Sequence, residues 1–124
     1  MEPVEHAMYE IIDFRNTKIF IADFTTCSTQ EELVHGFKTV RETLLANPEV
    51  QLLLSDLTGV AVGREAMKEA KNLTKEVLNQ QILKSAALGA EGLKIVLFNA
   101  IAALSTNEIK AFTTREEALA WLTK

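Results

Sequence analysis

The stretch Gln51-Leu52-Leu53-Leu54-Ser55-Asp56-Leu57, followed by Thr58-Gly59-Val60-Ala61-Val62-Gly63, decides the fold. Its first part is a short, largely apolar run, the pattern of a central strand buried on both faces. Asp56 closes it toward a glycine-bracketed loop. On the N-terminal side, Leu33, Phe37, Val40 and Leu44 recur at helical intervals, and Asn47-Pro48 ends that helix because the residue before a proline is pushed out of the helical region. Ser28 with Glu31, or Thr29 with Glu32, offers a capping box, so the helix is expected from about Thr29 to Ala46. On the C-terminal side a second amphipathic helix runs from about Arg64 to Gln80, with Ala66, Ala70, Leu73 and Val77 toward the core.

Moving outward, Met8–Phe14 and Lys18–Phe24 read as strands joined by Arg15-Asn16-Thr17, a connection so short that only an antiparallel hairpin fits. Lys84–Leu88 is a fourth strand. Gly89 and Gly92 bracket the turn into a third helix, about Gly92 to Leu104. Ile109–Phe112 is a fifth strand, and Thr113 with Glu116, or Thr114 with Glu117, caps a last helix that ends at Leu122. The order is β-β-α-β-α-β-α-β-α. A single α/β domain over residues 1–124 is expected: a five-stranded, mostly parallel sheet with an antiparallel N-terminal hairpin strand and four helices.

Composition narrows the function classes. The 124 residues are 48% hydrophobic and 24% charged, as in ordinary globular proteins, and the net charge of −4 comes without any basic cluster, which argues against nucleic acid as a partner. The single cysteine, Cys27, rules out an internal disulfide and a cysteine metal cage, and cytoplasm is the expected address. Met1-Glu2-Pro3-Val4-Glu5-His6 has neither the basic start nor the apolar run of an export signal. The longest apolar stretch, Leu93–Leu104, contains Lys94 and Asn99 and falls short of the roughly 20 residues of a membrane span.

Candidate chemistry is sparse. Cys27 precedes the first helix, where a dipole lowers a thiol pKa, but His35 lies too far along that helix to serve as its base. His6 and His35 lack metal-ligand spacing, so no metal is expected. Gly59 and Gly63 bracket a loop before a helix without the Lys-Ser or Lys-Thr ending of a phosphate-binding loop, and a tight turn explains them better. Asp23 and Asp56 close strands, Asp56 near the carboxyl edge of the sheet where open α/β folds bind ligands, but carboxylates alone specify no reaction. No catalytic residue and no cofactor is expected.

The run Leu52-Leu53-Leu54-Ser55-Asp56-Leu57-Thr58-Gly59-Val60 resembles a segment of STAS domains, which include anti-sigma-factor antagonists and cytoplasmic modules of sulphate transporters. Ala86-Ala87-Leu88-Gly89, Gly92-Leu93-Lys94, Asn99-Ala100 and Phe112–Leu122 are similar to small bacterial STAS-like proteins of unassigned function grouped with the CRAL-TRIO lipid-carrier fold. The resemblance implies a regulatory module that binds a protein. It also exposes a departure: the Asp-Ser pair whose serine is phosphorylated in the antagonists falls on Arg64 and Glu65, so that switch is not expected here. Glu65 is accounted for by the dipole of a helix N-terminus.

The third helix is apolar nearly all round. Leu93, Val96, Ala100, Ala103 and Leu104 share one face with Leu97 at its border, while Phe98 and Ile101 fall on the side of Lys94 and Ser105. Such a helix is covered twice, by the sheet and by a second protomer, another protein, a lipid or the chain's own C-terminal helix. The expected surface for a partner or ligand is therefore Thr58, Gly59, Gly63, Arg64, Glu65, Leu97, Phe98 and Ile101. The expected function is a non-catalytic regulatory or scaffolding module that binds a protein partner and forms a homodimer. The alternative is a small carrier or sensor of an apolar ligand such as a lipid.

Overall fold

The computed structural model describes residues 8–91 and 94–124. Strands β1 (Met8–Phe14) and β2 (Thr17–Asp23) form the antiparallel hairpin. Its turn is one residue shorter than expected: Arg15 and Asn16 alone make it, at φ 54° and 62°, the left-handed geometry whose twist matches that of paired strands. Helix α1 spans Gln30–Ala46 and uses the second of the two possible capping boxes. Thr29 Oγ1 accepts from the Glu32 amide at 3.1 Å, and the Glu32 carboxylate accepts from the amides of Thr29 at 3.2 Å and Ser28 at 2.6 Å. Leu33, Phe37, Val40 and Leu44 are all buried, as their spacing requires.

Strand β3 (Leu52–Asp56) leads to α2, which starts at Arg64–Leu73, passes through a π-helical turn at Thr74–Leu78 and ends at Asn79–Gln81. The sequence pattern predicts an unbroken α-helix here. Leu73, Thr74, Val77 and Leu78 are all buried along α2. The Thr74 hydroxyl donates to the Ala70 carbonyl at 2.9 Å, beside the Thr74 amide that bonds the same carbonyl. Strand β4 (Lys84–Leu88), helix α3 (Lys94–Leu104), strand β5 (Glu108–Phe112) and helix α4 (Arg115–Leu122) complete the chain. Thr114 with Glu117 caps α4. Gly92 and Leu93, expected to open the third helix, lie outside the described residues.

The strands stand in the sheet in sequence order, β1 to β5, with every pair after the hairpin parallel. Three successive crossovers in one direction, for which right-handed connections are the rule, lay their helices on the same face. Phe20, Ala22 and Leu53 therefore meet Leu33, Phe37, Val40, Leu73 and Val77 on that face. On the other, Ile19, Ile21, Leu52, Leu54, Ala86 and Leu88 meet Ala118 and Leu122 of α4. Lys84 ties α4 down, its ammonium donating to the Trp121 carbonyl at 3.1 Å and lying 5.2 Å from the indole centre.

The loops after β3 and β4 touch. Gly89 sits at φ 83°, and a Cβ there would lie 2.5 Å from the Thr58 nitrogen and 2.8 Å from the Leu57 carbonyl carbon. The obstruction is backbone, so it cannot swing aside. Gly89→Ala is expected to destabilise the domain by about 2 kcal/mol or more, a left-handed penalty compounded by a clash. Urea unfolding followed by circular dichroism measures this as a lower midpoint at unchanged slope.

Candidate functional site

The carboxyl edge of the parallel strands, where open α/β sheets place their sites, is built from two similar turns. Asp23 and Asp56 are register partners on β2 and β3. Asp23 Oδ1 accepts from the amide and hydroxyl of Thr25 at 2.8 and 2.5 Å, and Asp56 Oδ1 accepts from those of Thr58 at 3.0 and 2.7 Å. Both carboxylates thus organise backbone. The sheet ladder also continues past the strands, with Phe24 N donating to Asp56 O at 3.0 Å and Leu57 N to Leu88 O at 2.9 Å.

Gln30 of α1 holds the far end of the 57–63 loop. Its Oε1 accepts from the Gly63 amide at 2.6 Å and its Nε2 donates to the Ala61 carbonyl at 2.8 Å. An anion cradled at this helix start would have to displace that side chain from Gly63. Thr58 and Gly59 are exposed on the turn, Gly59 at φ 75°, and Arg64 and Glu65 are exposed at the start of α2. The structure brings these expected site residues to one edge.

Helix α3 is turned the other way round from expectation. Val96 is 62% exposed, Leu104 and Ala103 are exposed, and Leu97 is 6% exposed, while Phe98 and Ile101 are partly buried and line a cavity over the sheet. Helical spacing fixes which residues share a face, but where both faces are apolar it leaves the helix's rotation about its own axis open. Here the largest side chains fill the space above a floor of small ones, Ser55, Ser85 and Ala87. The outward apolar residues are Ile95 and Val96, and a groove beside them is lined by Val60, Ala61, Val62, Met67 and Leu97. Val62, Met67, Ile95 and Val96 were not among the expected site residues. The apolar Val60-Ala61-Val62 in a loop, of which Val60 is buried, Val62 partly buried and Ala61 exposed, was the one available signal.

The cavity beneath α3 has a volume of about 90 Å³. Leu53, Ser55, Ser85, Ala87 and Ile109 contribute from the sheet, Leu97, Phe98 and Ile101 from α3, and Ala70, Leu73, Thr74 and Leu78 from α2.

Cys27 is buried, and desolvation, followed by the charges of Glu32 and Asp23, pushes its thiol pKa up. The direction is opposite to nucleophile activation. His35 is exposed on α1, and His6 lies outside the described residues. Among the described residues no group of three His, Cys, Asp or Glu side chains is placed to hold a metal ion, and no helix is long and apolar enough to cross a membrane.

No protein-family model matches the sequence, and no curated protein does. Solved structures do. An uncharacterized protein of the DUF3478 family from Shewanella loihica PV-4, described as having a SpoIIAA-like fold, superposes with a TM-score of 0.67 at 18% identity over 98% of each chain. An anti-sigma factor antagonist from Mycobacterium paratuberculosis superposes with a TM-score of 0.58 at 11% identity over 100% of each chain. These likenesses, the sequential five-stranded sheet and the antiparallel opening hairpin establish a STAS-like, SpoIIAA-like fold.

Proposed function

We propose that the chain is a non-catalytic regulatory or scaffolding module of the cytoplasm that docks a protein, including a second copy of itself, on the edge formed by the 57–63 loop and the outer face of α3. The observation that carries this reading is the apolar patch of Val96, 62% exposed, and Ile95, 41% exposed, beside the groove lined by Val60, Val62 and Met67. Contiguous exposed apolar surface with a polar border is the usual form of a docking site. Arg64 and Glu65 supply the border, and the hydrogen bonds of Asp56 and Gln30 hold the loop in shape before a partner arrives. Pre-ordering of this kind lowers the entropy cost of association. The likeness to an anti-sigma factor antagonist supports a protein as the partner. Leu97, Phe98 and Ile101 serve this surface from below, by setting the rotation of α3. Carriage of a long-chain lipid is the weaker reading: the cavity under α3, about 90 Å³, is smaller than the roughly 150 Å³ engineered cavity that holds benzene.

Two measurements bear on this proposal. Cys27 is expected to react with iodoacetamide several-fold more slowly than a free cysteine at pH 8, with the rate still rising above pH 9, since a raised pKa leaves less thiolate; a fast rate already flat by pH 7 would indicate an activated nucleophile. A photo-crosslinking amino acid at position 96 is expected to yield a discrete adduct in cells. Mass spectrometry then identifies the partner, an adduct of twice the chain's mass being a second copy. Absence of any adduct would overturn docking at this face.

A further inference from the structure

We infer that the cavity beneath α3 is a binding site for a small neutral amphiphile, a molecule with a short aliphatic body and one hydrogen-bonding head. The site adjoins the docking groove, sharing Leu97 with it, but lies on the other side of the helix, since Phe98 and Ile101 line the cavity and Val96 points away. Three observations define the ligand. First, the walls are apolar and no charged side chain lines them among the described residues. A carboxylate or ammonium would be buried without a partner there, a large penalty that a neutral molecule escapes.

Second, the cavity nevertheless contains hydroxyls that no described protein group satisfies. Ser85 is 6% exposed, and neither its hydroxyl nor that of Ser55 has a hydrogen-bond partner among the described residues. Thr74, the third hydroxyl of the lining, is already bonded to the Ala70 carbonyl. Ser85 faces Leu53 across the β3–β4 ladder and Ser55 faces Ala87, so the two serines are diagonal neighbours on one face of the sheet. A single head group placed between them meets both. Third, the volume of about 90 Å³ limits the ligand to a few heavy atoms. One wall is the π-helical turn at Thr74, an irregularity frequent at functional sites.

The test is a titration of methyl-labelled protein with 1-butanol, followed by heteronuclear NMR, with sodium butyrate as the charged counterpart of similar size. Saturable shifts are expected at the methyls of Leu73, Leu97 and Ile101, with a dissociation constant on the order of millimolar. Butyrate is expected to bind at least about tenfold more weakly. Ala87→Val, which fills the floor, should abolish the shifts. The double variant Ser55→Ala with Ser85→Ala keeps the space and should weaken butanol about two- to tenfold, the value of a hydrogen bond. No saturable shift in the wild type, equal binding of butyrate, or an unchanged affinity in the serine double variant would each overturn the inference. If Ala87→Val does not fold, the serine variant and the butyrate comparison decide it.

Discussion

The handedness of the crossover is the constraint on which the rest of the molecule depends. Strands placed in sequence order and joined by right-handed connections load every crossover helix onto one face. That face carries α1, α2 and α3, and the opposite face is left to the C-terminal helix α4. The crossover into the last strand must therefore roof the far side of the sheet, above β4 and β5. Both the cavity and the exposed apolar stripe of α3 follow from this placement.

The carboxyl edge of the sheet owes its shape to polar side chains spent on backbone. Asp23 and Asp56 each cap a threonine two residues on, and Gln30 reaches from α1 across 33 residues of sequence to the Gly63 amide. The loop amides of Thr25, Thr58 and Gly63 lie outside any strand or helix ladder, and these three side chains accept from them. The same side chains are thereby accounted for without reaction chemistry. Gly89 belongs to this arrangement, because only a residue without Cβ allows the β4 loop to lie against the Thr58 backbone.

The layer under α3 contrasts with the rest of the core. Below α1 the sheet presents Phe20 and Leu53, and just past β2 the Phe24 ring packs tilted at 57° against that of Phe37, centroids 5.0 Å apart. Below α3 it presents Ser55, Ser85 and Ala87, whose small side chains leave the void. Larger apolar residues on the floor would fill it. Their absence, together with two hydroxyls that have no hydrogen-bond partner among the described residues, is a local inconsistency of the sort that sites produce.

Local sequence determined most of the architecture. The apolar run before Asp56, the helical spacing of Leu33, Phe37, Val40 and Leu44, and the threonine caps each act over a few residues, so they were legible without tertiary context. The resemblance carried by residues 52–60 pointed to the same fold that the solved structures display. What the sequence left open was the rotation of α3, because a helix apolar on both sides has no polar face to orient it. Tertiary packing decided it, placing Phe98 and Ile101 over the small residues of β3 and β4 and leaving Ile95 and Val96 in solvent. The π-helical turn and the closure of Gly63 by Gln30 were also invisible beforehand, since both depend on groups brought together only when the helices settle onto the sheet.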